Sequence, residues 1–250
     1  MTYCLAASVD AGLVFASDSR TNAGVDHVST YSKMHVFGRD GDRQIVLLSA
    51  GNLATTQAVI AQLDRDIRTG APMNLMVMEG LADAADYVGQ IIRNQEAKHG
   101  PAVAAAGFSP DATFIMGGQI GQRPPKVYLI YPQGNYITTS EQTRYLQIGE
   151  TKYGKPILDR VIHADMSLEE AARCALVSID STMRSNATVG PPIELLAYRR
   201  DALVLSDYTK LVEDDPYLLE IRRAWNENIT QAFLELPPLT WDQWLVRPRD

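Results

Sequence analysis

The chain has 250 residues, 46% of them hydrophobic, with a formal net charge of −7. That apolar content fills a core, while the acidic balance argues against nucleic acid and anionic membranes as partners. Two cysteines, Cys4 and Cys174, make no disulfide framework and fit a reducing cytoplasm; the four histidines lack metal-ligand spacing.

The N-terminal segment has no basic start and Asp10 interrupts it, so it reads as a buried hairpin and not as a signal peptide. Its strands are residues 3–9 and 13–17, joined at Asp10-Ala11-Gly12. Neither strand alternates cleanly between apolar and polar, which predicts burial on both faces. Residues 30–37 form a weaker strand and 44–50 a strong one. The period then changes: Val59, Ile60, Leu63 and Ile67 share one helical face over 54–69, and Gly70 and Pro72 end that helix. A longer helix follows over 75–98, with Leu75, Met78, Leu81, Ala85, Val88 and Ile92 as its stripe.

Strands return at 112–116, 126–131, 136–139 and 145–148, separated by glycine and proline turns. A helix over 152–163 precedes one that opens on a capping box, Ser167 with Glu170. Residues 192–199 and 202–205 predict a closing hairpin, and a helix is expected over 216–235. The order is hairpins, two helices, hairpins, two helices, hairpin. Sheets buried on both faces need cover on both sides. The fold class is therefore α+β, a four-layer αββα sandwich of two antiparallel sheets. One domain spans 1–250, with 207–250 as a C-terminal helical extension rich in Trp and Pro. Its tail, Leu236 to Leu245, is expected to dock on its own subunit or on a neighbour. No apolar run reaches about 18 residues, so no membrane span is expected.

Thr2 carries the chemistry. Removal of Met1 would leave an α-amine and a hydroxyl on one residue, a nucleophile with its own base. Asp18 closes the second strand, which returns the chain to the end of the sheet where Thr2 starts. Lys33 follows after one loop and one strand, and an ammonium there would pair with Asp18 and stay charged. The same cation favours the alkoxide of Thr2. It also lowers the α-amine from its ordinary pKa of about 7.7–8.0 toward that of a working base. Gly51 lies between a buried strand and a helix, where an N–H donor for an oxyanion is worth about 3–4 kcal/mol. Each residue also has an ordinary reading: a turn aspartate, a surface lysine, a packing glycine.

Thr2 with Ala16-Ser17-Asp18-Ser19-Arg20, Lys33 and Ser49-Ala50-Gly51 resembles the proteasome β-subunit family of N-terminal nucleophile hydrolases. The longer strings Met1 to Leu5 and Asp18 to Asp26 are most similar to its bacterial ancestral β-subunit group, Anbu. The resemblance implies a threonine peptidase with Thr2 as nucleophile, its amine as base through a water, Asp18 and Lys33 as the charged pair, and the Gly51 N–H in the oxyanion hole. It implies binding of a peptide or protein substrate along Thr21 and Asn22, with Leu53 near the pocket for the residue before the scissile bond. It implies no cofactor, and a homo-oligomeric ring or spiral. Any ATPase partner would be a separate protein, because no Gly-rich phosphate-binding motif occurs here.

Two departures stand out. Only Met1 precedes Thr2, where the family usually carries a propeptide. The family's supporting serine and Asp-x-x-Ser-Gly segment are also altered: residues 148–152 and 184–190 occupy those regions, with Ser185 and Thr188 the nearest candidates and no matching aspartate. These leave two rival readings open, a non-catalytic scaffold of the same fold and a narrow amidase.

Overall fold

A computed structural model describes residues 2–22 and 28–240. The first hairpin is β1 (Tyr3–Val9) with β2 (Gly12–Ser17), and every residue of β2 is buried. Strands β3 (Arg20–Asn22) and β4 (Val28–Thr30) pair with each other as a two-stranded sheet. Strands β5 (Met34–Arg39) and β6 (Arg43–Gly51) lead into helix α1 (Leu53–Thr69) and helix α2 (Leu81–Ala105). Strands β7 (Ala112–Ile120), β8 (Lys126–Ile130), β9 (Tyr136–Thr138) and β10 (Tyr145–Gly149) follow. Helices α3 (Lys155–Val161) and α4 (Leu168–Ser185), strands β11 (Ile193–Arg199) and β12 (Asp207–Leu211), and helix α5 (Pro216–Leu234) complete the described chain.

The two large sheets are antiparallel, ordered β10-β1-β2-β11-β12 and β5-β6-β7-β8-β9. Three apolar clusters fill the layers. Cys4, Ala6, Leu13 and Phe15 meet Val46, Leu48 and Ile115 between the sheets. Tyr3, Leu5, Ala7 and Val14 point the other way, onto α4 residues such as Ala175 and Ile179. On the far side, Ile45, Leu47 and Phe114 pack against Val59, Leu63, Val88 and Ile92 of α1 and α2. Alternate residues of one strand thus enter different cores, so β1 and β2 lack polar alternation. This is the αββα sandwich.

Local signals set several boundaries as expected. Gly70 takes the left-handed conformation (φ 64°) that ends α1, and the Ser167–Glu170 capping box opens α4. Other elements differ. The helix expected from residue 75 begins at Leu81; Leu75 and Met78 are buried but irregular. Arg43 explains this: its Nη1 donates to the carbonyls of Leu75 (3.0 Å) and Met78 (2.9 Å), satisfying the backbone without a helix. Helix α2 also runs further, through Pro101 to Ala105. The strand expected over 30–37 begins at Met34, and the helix expected over 152–163 is confined to α3.

The closing hairpin uses 207–211 in place of 202–205. Asp201 and Leu203 have positive φ (63° and 49°), and their N–H groups donate to Gln119 Oε1 (3.0 Å) and Tyr198 Oη (3.2 Å). Those bonds hold the segment as a loop.

Helix α5 is capped by Asp215 and seats Leu218 and Ile221. Beyond it Leu236 and Leu239 are exposed, so this part of the tail does not dock on its own subunit. The remainder of the tail, with Trp241 and Trp244, lies outside the described residues. Among the described residues no helix is long and apolar enough to cross a membrane.

Candidate active site

Thr2 leads directly into β1, and the β1–β2 hairpin brings Asp18 back beside it. The Tyr3 N–H donates to Asp18 Oδ1 at 2.9 Å, and the Asp18 N–H donates to the Tyr3 carbonyl at 3.0 Å. Lys33 immediately precedes β5, where the Ser49 N–H holds its carbonyl at 2.9 Å. Its Nζ donates to Asp18 Oδ1 at 2.5 Å and to the Arg20 carbonyl at 2.7 Å. Asp18 Oδ2 accepts from the Gly190 N–H at 3.2 Å. Asp18 is fully buried and Lys33 is 6% exposed. Burial pushes the Asp18 pKa above the usual carboxylate range; the Lys33 charge, then the hydrogen bonds from Lys33, Tyr3 and Gly190, oppose that rise.

Thr2 and Lys33 line one small cavity of about 90 Å³ together with Gly51. Gly51 ends β6 at φ 108°, and a Cβ there would lie 2.3 Å from the Asp111 carbonyl oxygen. Only glycine fits that turn. The next residue, Asn52, caps α1 by accepting the Thr55 N–H. Thr21 and Leu53 also line the cavity. Asn22 sits in β3 opposite Val28, and its side chain lies outside the described residues. Met1 lies outside them too.

Sequence reasoning missed much of the lining. Thr56 and Gln57 join Leu53 at the i, i+3, i+4 spacing of one helical face, a signal that was readable. Ser32 and His35 complete the polar wall. Burial lowers the His35 pKa, with Glu194 and Asp64 opposing, which favours neutral imidazole. Cys4 is buried beneath the site, its thiol pushed well up by burial. A thiol so raised is no rival nucleophile.

The supporting contacts come from the two expected segments, 148–152 and 184–190, though mostly through residues other than the two candidates named there. Gly149 (φ 86°) lets β10 approach Thr2 so closely that a Cβ would sit 2.0 Å from the Thr2 carbonyl oxygen. The Glu150 N–H then donates to that oxygen at 2.7 Å. Asn186 Nδ2 donates to Glu150 Oε2 at 3.3 Å, and Asn186 Oδ1 accepts from Thr188 Oγ1 at 2.6 Å. Of the two expected supports, Thr188 therefore joins this chain of contacts, while Ser185 is exposed at the end of α4. Another buried carboxylate, Glu194, accepts from Ser32 Oγ at 2.8 Å and Tyr208 Oη at 2.7 Å.

No protein-family model matches the chain, and no curated protein sequence does. Solved structures do. Anbu (ancestral beta-subunit) from Yersinia bercovieri is 42% identical over 96% of this chain and 99% of its own, with a TM-score of 0.90. The chain belongs to the Anbu family. The helical assembly of the Anbu complex from Pseudomonas aeruginosa matches at 46% identity and TM-score 0.91, over 96% of this chain and 98% of that one. Anbu from Hyphomicrobium sp. strain MC1 matches at 40% identity and TM-score 0.86, over 96% of this chain and all of that one. Anbu membership agrees with the packed sheets described above, a proteasome-like β-subunit fold.

Proposed function

We propose that this Anbu protein is a threonine peptidase that cleaves peptide bonds with Thr2 once Met1 is removed. The observation that carries the reading is a single pocket shared by Thr2, Lys33 and Gly51, with the Lys33 ammonium held on buried Asp18. In this scheme the freed α-amine takes the Thr2 Oγ proton through a water, and Oγ attacks the substrate carbonyl. Lys33 stabilises the oxygen while it loses its proton. The Gly51 N–H donates to the tetrahedral oxyanion. Collapse expels the leaving amine, which takes the proton from the α-amine, and leaves an acyl ester on Thr2. Water, deprotonated by the same amine, then hydrolyses the ester and restores the hydroxyl.

The substrate runs beside Thr21, and the side chain before the scissile bond enters the cavity next to Leu53. The functional unit is a homo-oligomer. The relative from Pseudomonas aeruginosa forms a helical assembly, and here Phe233, Leu234, Leu236 and Leu239 stand exposed together at the end of α5. A cytoplasmic location fits its two unpaired, buried cysteines.

Intact-mass measurement before and after an epoxyketone or β-lactone warhead tests the reading. The expected result is loss of Met1 and one adduct on Thr2, absent in Thr2→Ala. A chain that keeps Met1 in cells, or a processed chain that never takes the adduct, would sink it.

A further inference from the structure

Behind the Asp18–Lys33 pair lies a second cavity of about 400 Å³. Three guanidinium groups reach it from three elements: Arg20 from β3, Arg184 from α4 and Arg222 from α5. Each uses one nitrogen on the protein. Arg20 Nη1 donates to the Ala187 carbonyl at 2.8 Å, Arg184 Nη1 to Asn226 Oδ1, and Arg222 Nε to Asp180 Oδ1 at 2.7 Å. The other guanidinium N–H groups, four of the five on each arginine, make no hydrogen bond among the described residues. Asp180 is neutralised by Arg222, and Glu213 is the other lining carboxylate, which leaves the cavity a formal charge of +1. Planar forks of this kind match oxyanions in a bidentate way.

The seat is built. The Arg20 guanidinium lies against Gly190, where a Cβ would meet its Cζ at 2.3 Å. It is also wired to the site in front. The Gly190 carbonyl accepts from the N–H groups of Ser19 and Arg20 at 3.2 Å each, while the Gly190 N–H holds Asp18. The Arg20 carbonyl holds Lys33. An occupant that immobilises Arg20 therefore braces both charged groups from behind.

We propose that this cavity binds a phosphate-type oxyanion and that the occupant stiffens the 187–190 loop and, through it, the Asp18–Lys33 pair; the consequence for catalysis rests on the peptidase reading above. The test is calorimetry on the full chain with inorganic phosphate, and with AMP to separate a free oxyanion from a phosphate ester, against chloride at matched ionic strength. One phosphate group bound per subunit is expected. Arg184→Glu should weaken it at least tenfold, since a hydrogen bond to a charged group is worth about 1.5–3 kcal/mol. Arg184 is exposed at a helix end, so this variant should fold; Arg222→Lys, which preserves the pair with Asp180, should bind in between. Hydrogen exchange reads the coupling: phosphate should slow the amides of 187–190 in the parent chain and not in Arg184→Glu. Phosphate heats no larger than those of chloride, or binding untouched by Arg184→Glu, would overturn the site. Binding without slower exchange would overturn the coupling. A Thr2 that takes no warhead would defeat the peptidase reading and leave both results standing.

Discussion

Replacing Asp18 by asparagine keeps the side chain's shape and removes its charge. Three donors converge on the carboxylate: the Lys33 ammonium and the Tyr3 N–H on Oδ1, and the Gly190 N–H on Oδ2. An amide serves two of them with its oxygen and turns its own NH₂ toward the third. Lys33, 6% exposed, is left as a charge without a counter-charge. Removing one partner of a buried pair costs about 3–5 kcal/mol. A domain of this size has roughly 5–15 kcal/mol in total, and each kcal/mol moves its Tm by about 2–4 °C. The expected fall is therefore about 6–20 °C, measured by thermal melts at neutral pH and fixed protein concentration, because subunit association also shifts Tm. The double variant Asp18→Asn with Lys33→Met removes the stranded charge and should recover much of the loss. A single variant melting within about 2 °C of the parent, or a double variant no better than the single one, would refute the reasoning.

Gly51→Ala should cost roughly 1–3 kcal/mol, because φ 108° is a strained conformation for alanine; it should also abolish warhead labelling of Thr2, and normal labelling would remove Gly51 from the site. Glu194→Gln should slow labelling while leaving the fold intact by circular dichroism, since the amide cannot accept from Ser32 and Tyr208 with both of its terminal atoms; an unchanged rate would show that Glu194 only fills space. The labelling rate should fall on acidification as Asp18 takes a proton and releases Lys33. Because burial raises the Asp18 pKa, that acid limb should lie above the ordinary aspartate value of about 3.9. The Thr2 α-amine, as the base, gives its own limb in both chains; a further limb at or below that aspartate value, or one that persists in Asp18→Asn, counts against this assignment.

What was legible in the sequence follows from short-range rules. The hairpin period and its turn returned Asp18 to the start of β1. The helical stripe and Gly70 bounded α1, and the capping box opened α4, because caps and periodicity act within a few residues. Thr2, Lys33 and Gly51 could be named from their order along the strands. Leu53, Thr56 and Gln57 obeyed the same helical spacing, although only Leu53 was picked out.

Tertiary structure alone decided the rest. Glu194 meets Ser32 across 162 positions, and Gly190 meets Asp18 across 172. Asn186 and Glu150 support Thr2 from loops whose polar residues have no period to reveal them. Arg43 likewise converted an expected helical turn at Leu75–Met78 into irregular chain from a distant strand. A buried polar group takes whichever partner the packed layers bring within about 3 Å. Sequence spacing cannot encode that choice, because it exists only once the two sheets have closed on each other.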